Sequence, residues 1–186
     1  LDLTLRPVHT GTLRVPDDER TWTFARDLVA AHVRPDGGPV VHVLIAHFKS
    51  KRDSKDDPES RNWRLAEARG VREIVLDFRE RDPQAMYALI GDLNDTPDSA
   101  TIQTLLAPDA GGEPVLVDAH ADLPADRRIT YLREPYRSTI DYILVSPALA
   151  EHIVPGSATV TDMDLIGSDH APLSVTFELP KTEESP

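Results

Sequence analysis

Apolar and polar residues alternate with two different periods along this chain, and the change of period predicts both strands and helices. From Trp22 to Val33 (WTFARDLVAAHV) the pattern predicts a strand. Pro35-Asp36-Gly37-Gly38 predicts a turn, and Val40 to Phe48 (VVHVLIAHF) a second β-rich run, so the two read as a hairpin. Residues 49–58 form a charged loop. From Glu59 to Arg81 the period lengthens: Gly70 or Val71, Ile74, Val75 and Phe78 recur at three- and four-residue spacing, with arginine and glutamate on the other faces. That is an amphipathic helix, and Asp82-Pro83 ends it. Ala85 to Ile90 (AMYALI) predicts a short buried strand that delivers Gly91-Asp92 at its C-terminal end. A short helix follows, with Asp98 or Ser99 as N-cap. Ile140 to Val145 and Leu173 to Leu179 are further strands, and residues 107–128 are loop-rich. Strands alternating with helices predict an α/β or α+β fold.

Length changes the picture little: 186 residues and 20.6 kDa suit one sizeable domain, taken here as residues 1–179, with 180–186 (PKTEESP) as a disordered tail or linker. With Leu1 at the start and methionine only at 86 and 163, a longer precursor is expected. No apolar run reaches the roughly 20 residues of a membrane helix. Zero cysteines exclude a disulfide framework, a thiolate metal site and a cysteine nucleophile, but leave the compartment open between secreted and cytoplasmic. The net charge of −12 disfavours a partner held by a broad basic surface, such as long duplex DNA. Of only four lysines, three (Lys49, Lys51 and Lys55) fall in one short stretch, a local attraction for an anion or simply a solvated loop.

Four short elements at strand ends concentrate the chemistry: Ala46-His47-Phe48-Lys49, Gly91-Asp92-Leu93-Asn94, Ile140-Asp141-Tyr142-Ile143 and Ser168-Asp169-His170. Singly, each has a plain structural explanation in turn chemistry or a satisfied polar group. Together they hold three carboxylates, one amide and two imidazoles, a donor set that suits a hard cation such as Mg²⁺ or Mn²⁺. No Gly-x-Ser-x-Gly elbow exposes a serine, and no phosphate loop of the Gly-x-x-x-x-Gly-Lys type is present. The ends of the strands at His47, Ile90 and Val145 are expected to converge with the loop at Ser168, because scattered motifs form one site only at one sheet edge.

In their order and spacing, "AHFKSKR", "IGDLNDTPDS", "STIDYILVSP" and "GSDHAPLSVTFEL" resemble the endonuclease/exonuclease/phosphatase superfamily of DNase I-like phosphoesterases, in its bacterial branch. The resemblance spans about residues 22–179 and implies a two-layer β-sandwich flanked by helices. It implies that Asp92 and Asn94 orient the attacking water, and that Asp169 and Asp92 approach the metal. His170 contacts the scissile phosphate, Asp141 orients His170 through a hydrogen bond, and His47 lies at the phosphate and assists proton transfer. Lys49 and Asn94 join His47 and His170 around the phosphate. The implied activity is a Mg²⁺- or Mn²⁺-dependent phosphodiesterase, nuclease or phosphatase, acting on nucleic acid, a phosphorylated small molecule or a lipid.

One departure stands out. The family's early Asn and its Gln-Glu pair, whose Glu is a principal metal ligand, have no counterpart before Trp22. The family domain also takes roughly 250 residues or more, so this segment reads as its C-terminal two-thirds. Three expectations follow from that reading: weak metal binding by this segment alone, slow hydrolysis by it or none at all, and self-association through an incomplete sheet. The competing reading is a truncated or degenerate member serving as a non-catalytic binding module.

Overall fold

The computed structural model describes residues 2–8, 12–15, 18–161 and 167–181, so the last five residues of the expected tail lie outside the described residues. Among the described residues, eight strands and three α-helices follow one another: β1 (Asp2–Val8), β2 (Leu28–Arg34), β3 (Val41–His47), α1 (Arg61–Arg81), β4 (Met86–Asp92), α2 (Ala100–Leu106), β5 (Val117–Asp118), β6 (Asp141–Val145), α3 (Pro147–Ala150), β7 (Thr159–Val160) and β8 (Leu173–Ser174). The central sheet has the order β1-β2-β3-β4-β6-β5, and β7 pairs with β8 in a second, small sheet. Among the described residues, only β3 and β4 run parallel, joined across α1, and the other strand pairs are antiparallel. The architecture is a mixed α/β fold with a central sheet and flanking helices.

Alternation along the strands sorts side chains between two faces. Leu44, Ala46, Tyr87 and Leu89 pack against Ala68, Val71 and Val75 of α1 and Ile102 and Leu105 of α2, the main core. Val41, Val43, Met86, Ala88, Ile90, Ile143 and Val145 occupy the other face with Leu149, Ile153 and Phe177. Register partners on neighbouring strands share a face. Val43–Ala88–Val145 therefore form one row across β3, β4 and β6, and Ile45–Ile90–Ile143 the next.

Several boundaries differ from the alternation pattern. The first strand of the expected hairpin starts at Leu28, six residues later than Trp22. Trp22 instead bridges Leu13 and packs with Val15 and Ala66 in a separate small cluster. The Ala25 amide donates to the Glu67 carboxylate on α1 at 2.8 Å rather than to a neighbouring strand. The long helix begins at Arg61, preceded by a single 3-10 turn over Pro58–Ser60, and the Asp57 carboxylate accepts from the Asn62 and Trp63 amides. Of the two N-cap candidates Ser99 is the cap, its hydroxyl accepting from the Ile102 amide at 3.2 Å. Leu173–Leu179 is strand only over Leu173–Ser174, because β7 offers two residues to pair with; Phe177 makes an isolated bridge to Ile153. Finally, β6 runs antiparallel to β4, so the end that meets Asp92 is its start at Asp141 and not Val145.

Candidate active site

The row that follows Ile45–Ile90–Ile143 on the same sheet face is His47–Asp92–Asp141. Two apolar rows thus give way to a polar one where the sheet reaches solvent. His47 Nε2 lies 3.4 Å from Asp92 Oδ2. His170, brought in from the segment before β8, donates from Nδ1 to Asp141 Oδ2 at 2.8 Å, the hydrogen bond expected from the sequence.

Each side chain is held by local backbone chemistry. Gly91 has φ +131°, and a Cβ there would lie 2.0 Å from the Ala46 carbonyl oxygen, so only glycine lets β4 pass β3 and present Asp92. Asn94 sits in the left-handed region at φ 54°. Its amide N–H donates to Asp92 Oδ1 at 2.8 Å, and its side-chain Nδ2 donates to the Phe48 carbonyl at 3.0 Å and to Asp92 Oδ2 at 3.1 Å. Asn94 therefore locks the Asp92 carboxylate and ties the end of β4 to the end of β3. The fully buried Thr130 hydroxyl accepts from the Ile140 and Asp141 amides at 3.0 and 3.1 Å. The Thr130 carbonyl accepts from the Ala171 amide at 2.7 Å, and Leu132 N–H donates to the Asp169 carbonyl at 2.8 Å. One short stretch thereby fixes both Asp141 and the segment that carries His170.

The electrostatics follow from that crowding. Burial pushes the Asp92 carboxyl above its ordinary value, the Asp141 charge pushes it further, and the Asn94 N–H and the two imidazoles pull back without cancelling the rise. Burial pulls the His170 imidazole down, but the Asp141 hydrogen bond and the charges of Asp141, Asp92 and Asp169 outweigh it, so His170 holds its proton above its ordinary value.

A cavity of about 620 Å³ opens over the row and is bordered by His47, Asp92, Asn94, Asp169 and His170. Among the described residues, Asp92, Asp141 and His170 form the one group of three whose ligating atoms lie within 4.8 Å of one another. Two carboxylates under mutual repulsion, one of them with a raised pKa, fit a hard divalent cation, which relieves that repulsion. Asp169 is exposed and stands outside this group, though it borders the cavity. Lys49 is not brought to the cavity: its Nζ lies 5.5 Å from the centre of the Trp63 ring, and Lys51, one alternation on, lines the cavity instead. Sequence reasoning also passed over Tyr131 and Arg137, which border the cavity, and Tyr131 meets the His170 ring edge-on at 5.2 Å. Their signal was the interleaving of aromatic and cationic residues from Tyr131 to Arg137, just ahead of Asp141.

The model of the Endonuclease/Exonuclease/phosphatase family matches residues 3–170 of this chain. The chain belongs to that family. Solved structures with the same fold include truncated Caenorhabditis elegans TDP2, 19% identical with a TM-score of 0.61, over 94% of this chain and 66% of that one. The 3′ phosphatase NExo from Neisseria, bound to a product DNA hairpin, is 22% identical with a TM-score of 0.58, over 93% and 72%. The human Nocturnin catalytic domain is 18% identical with a TM-score of 0.58, over 92% and 60%. This chain therefore spans about two thirds of the length of these structures. No curated protein sequence matches it. Among the described residues, no helix is long and apolar enough to cross a membrane. The Endonuclease/Exonuclease/phosphatase family consists of metal-dependent nucleases and phosphatases.

Proposed function

We propose that this protein is a Mg²⁺- or Mn²⁺-dependent phosphoesterase that hydrolyses its substrate by in-line attack of an activated water. The observation that carries the reading is the polar row His47–Asp92–Asp141, with His170 hydrogen-bonded to its end, opening into one cavity. Asp92 would hold the cation with Asp141, and Asp169 would approach it from the cavity rim; the cation would neutralise charge on the phosphoryl and leaving oxygens. Asp92 accepts the proton of the attacking water while Asn94 keeps the carboxylate in one orientation. Asp141 fixes the tautomer of His170 and keeps the ring cationic, so that it donates a charge-assisted hydrogen bond to the phosphate. His47, whose Nε2 lies 3.4 Å from Asp92 Oδ2, passes the proton accepted there on to the leaving oxygen. Lys51 and Arg137 supply positive charge at the rim for a phosphorylated small molecule, a lipid headgroup or a nucleic acid end. The same reading includes association of two copies through the apolar rows of the sheet.

The test is turnover of bis(p-nitrophenyl) phosphate with Mn²⁺ or Mg²⁺ and with a chelator. Turnover should need the cation and fall about 100-fold or more in His170→Ala and Asp92→Asn. Turnover indifferent to both substitutions would overturn the reading.

A further inference from the structure

Glu67 lies on α1, away from the cavity, yet it is fully buried and carries no counter-charge in direct contact among the bonds it makes. Its two oxygens accept from two backbone amides of segments distant in sequence: Oε1 from Ala25 at 2.8 Å and Oε2 from Lys49 at 2.7 Å. Both segments lead to the site. Lys49 is two residues beyond His47. Ala25 precedes Arg26, whose guanidinium donates to the Phe48 carbonyl at 3.1 Å. That carbonyl also receives the Asn94 side chain, and Asn94 holds Asp92. A chain of hydrogen bonds therefore runs from Glu67 through the peptides after β3 to both His47 and Asp92.

We propose that Glu67 is a positioning residue whose ionised carboxylate clamps the end of β3, and that losing its charge loosens His47 and Asp92 together. An ionised carboxylate accepts at both oxygens. Protonation turns one oxygen into a donor that faces an N–H group, so one of the two bonds is lost. The groups around it set where this happens. Burial pushes the carboxyl up to about 7, against the lowering effect of the Lys49 and Ala25 amides and of the Arg26 and Arg64 charges, while the Lys49 ammonium is turned to Trp63. The clamp would then open and close within the neutral range. As a regulator of hydrolysis it rests on the phosphoesterase reading above; as a clamp it does not.

Two measurements separate these. The first follows the amide resonances of Ala25 and Lys49 and the side-chain amide of Asn94 by NMR from pH 5.5 to 8.5. All three should move with one midpoint near 7, and that component should vanish in Glu67→Gln, an amide isostere of the protonated acid. Absence of a shared step in the wild-type protein overturns the clamp even if the variant fails to fold. The second is the pH profile of kcat on bis(p-nitrophenyl) phosphate with Mn²⁺. Wild type should exceed Glu67→Gln by no more than about two-fold near pH 6 and pull ahead to about ten-fold near pH 8, with KM changed less. A constant ratio across pH would make Glu67 merely structural and overturn the positioning role. Wild type that is inactive at every pH would count against hydrolysis by this segment and leave the NMR result to decide the clamp.

Discussion

Among the described residues, the Asp141 carboxylate hydrogen-bonds one ring, that of His170, and that exclusivity makes its role measurable. Asp141→Asn keeps the shape but removes the charge that holds the proton on His170. Turnover should fall by about 100-fold or more with an unchanged circular dichroism spectrum. His170 has a folded pKa above its ordinary 6.5, so its contribution to stability is complete below about pH 6.5 and is lost as pH rises through the folded value. In Asp141→Asn that acid-side gain should disappear from urea-unfolding curves taken on either side of the window. Gly91→Ala tests the backbone instead: with φ at +131° and the Ala46 carbonyl in the way, it should cost about 3 kcal/mol or more in unfolding free energy. Much at this scale was legible in the sequence, since His47, Asp92, Asn94, Asp141, Asp169 and His170 all border the one cavity or its hydrogen bonds. Lys49 was not legible, because a loop residue has no period to say where its side chain turns, and Trp63 decided it.

The elements that hold these residues were read less evenly. Helix α1 and strand β4 follow from long, regular patterns, whereas the strand expected from Trp22 starts late because a buried carboxylate on α1 captures the Ala25 amide. No local pattern announces such a tertiary contact. Helix α1 also anchors the loop after β4: Arg64, only 1% exposed, donates from Nε to Asp95 Oδ2 at 3.0 Å, and Thr101 donates to the same oxygen. Burial works against the Asp95 charge, yet Arg64 and Thr101 hold its carboxyl below the usual range. Arg64→Ala leaves that carboxylate with only the more exposed Lys51, its Nζ 3.3 Å from Oδ1, as a cationic partner and should cost roughly 3 kcal/mol, read from urea unfolding. Glu67 acts on stability with the opposite sign. Its folded value of about 7 lies above its ordinary 4.5, so the native state holds an extra proton between the two. Stability should therefore decline from about pH 4.5 to 7 and level off above, and Glu67→Gln should flatten that decline. The charged form that tightens the site is the form that costs stability.

At the scale of the molecule, one face of the sheet is only partly covered. Ile45 is 39% exposed, and with Ile90, Ile143 and Leu173 it lines a second cavity of about 480 Å³ beside the site. Ile45→Lys should reduce concentration-dependent association in sedimentation velocity; a monomer at every concentration in the wild-type protein would count against association through this face. The rows on this face carry a further consequence. On β3 and β6 the exposed-edge face takes odd-numbered positions, on β4 even ones, and His47, Asp92 and Asp141 simply continue that parity from Ile45, Ile90 and Ile143. A single residue inserted in β4 ahead of Leu89 would swap odd for even, turn the Asp92 carboxylate toward the helices and turn Leu89 onto the opposite, partly covered face. The reading frame of the core and the reading frame of the chemistry are the same count, so no slip of one leaves the other intact.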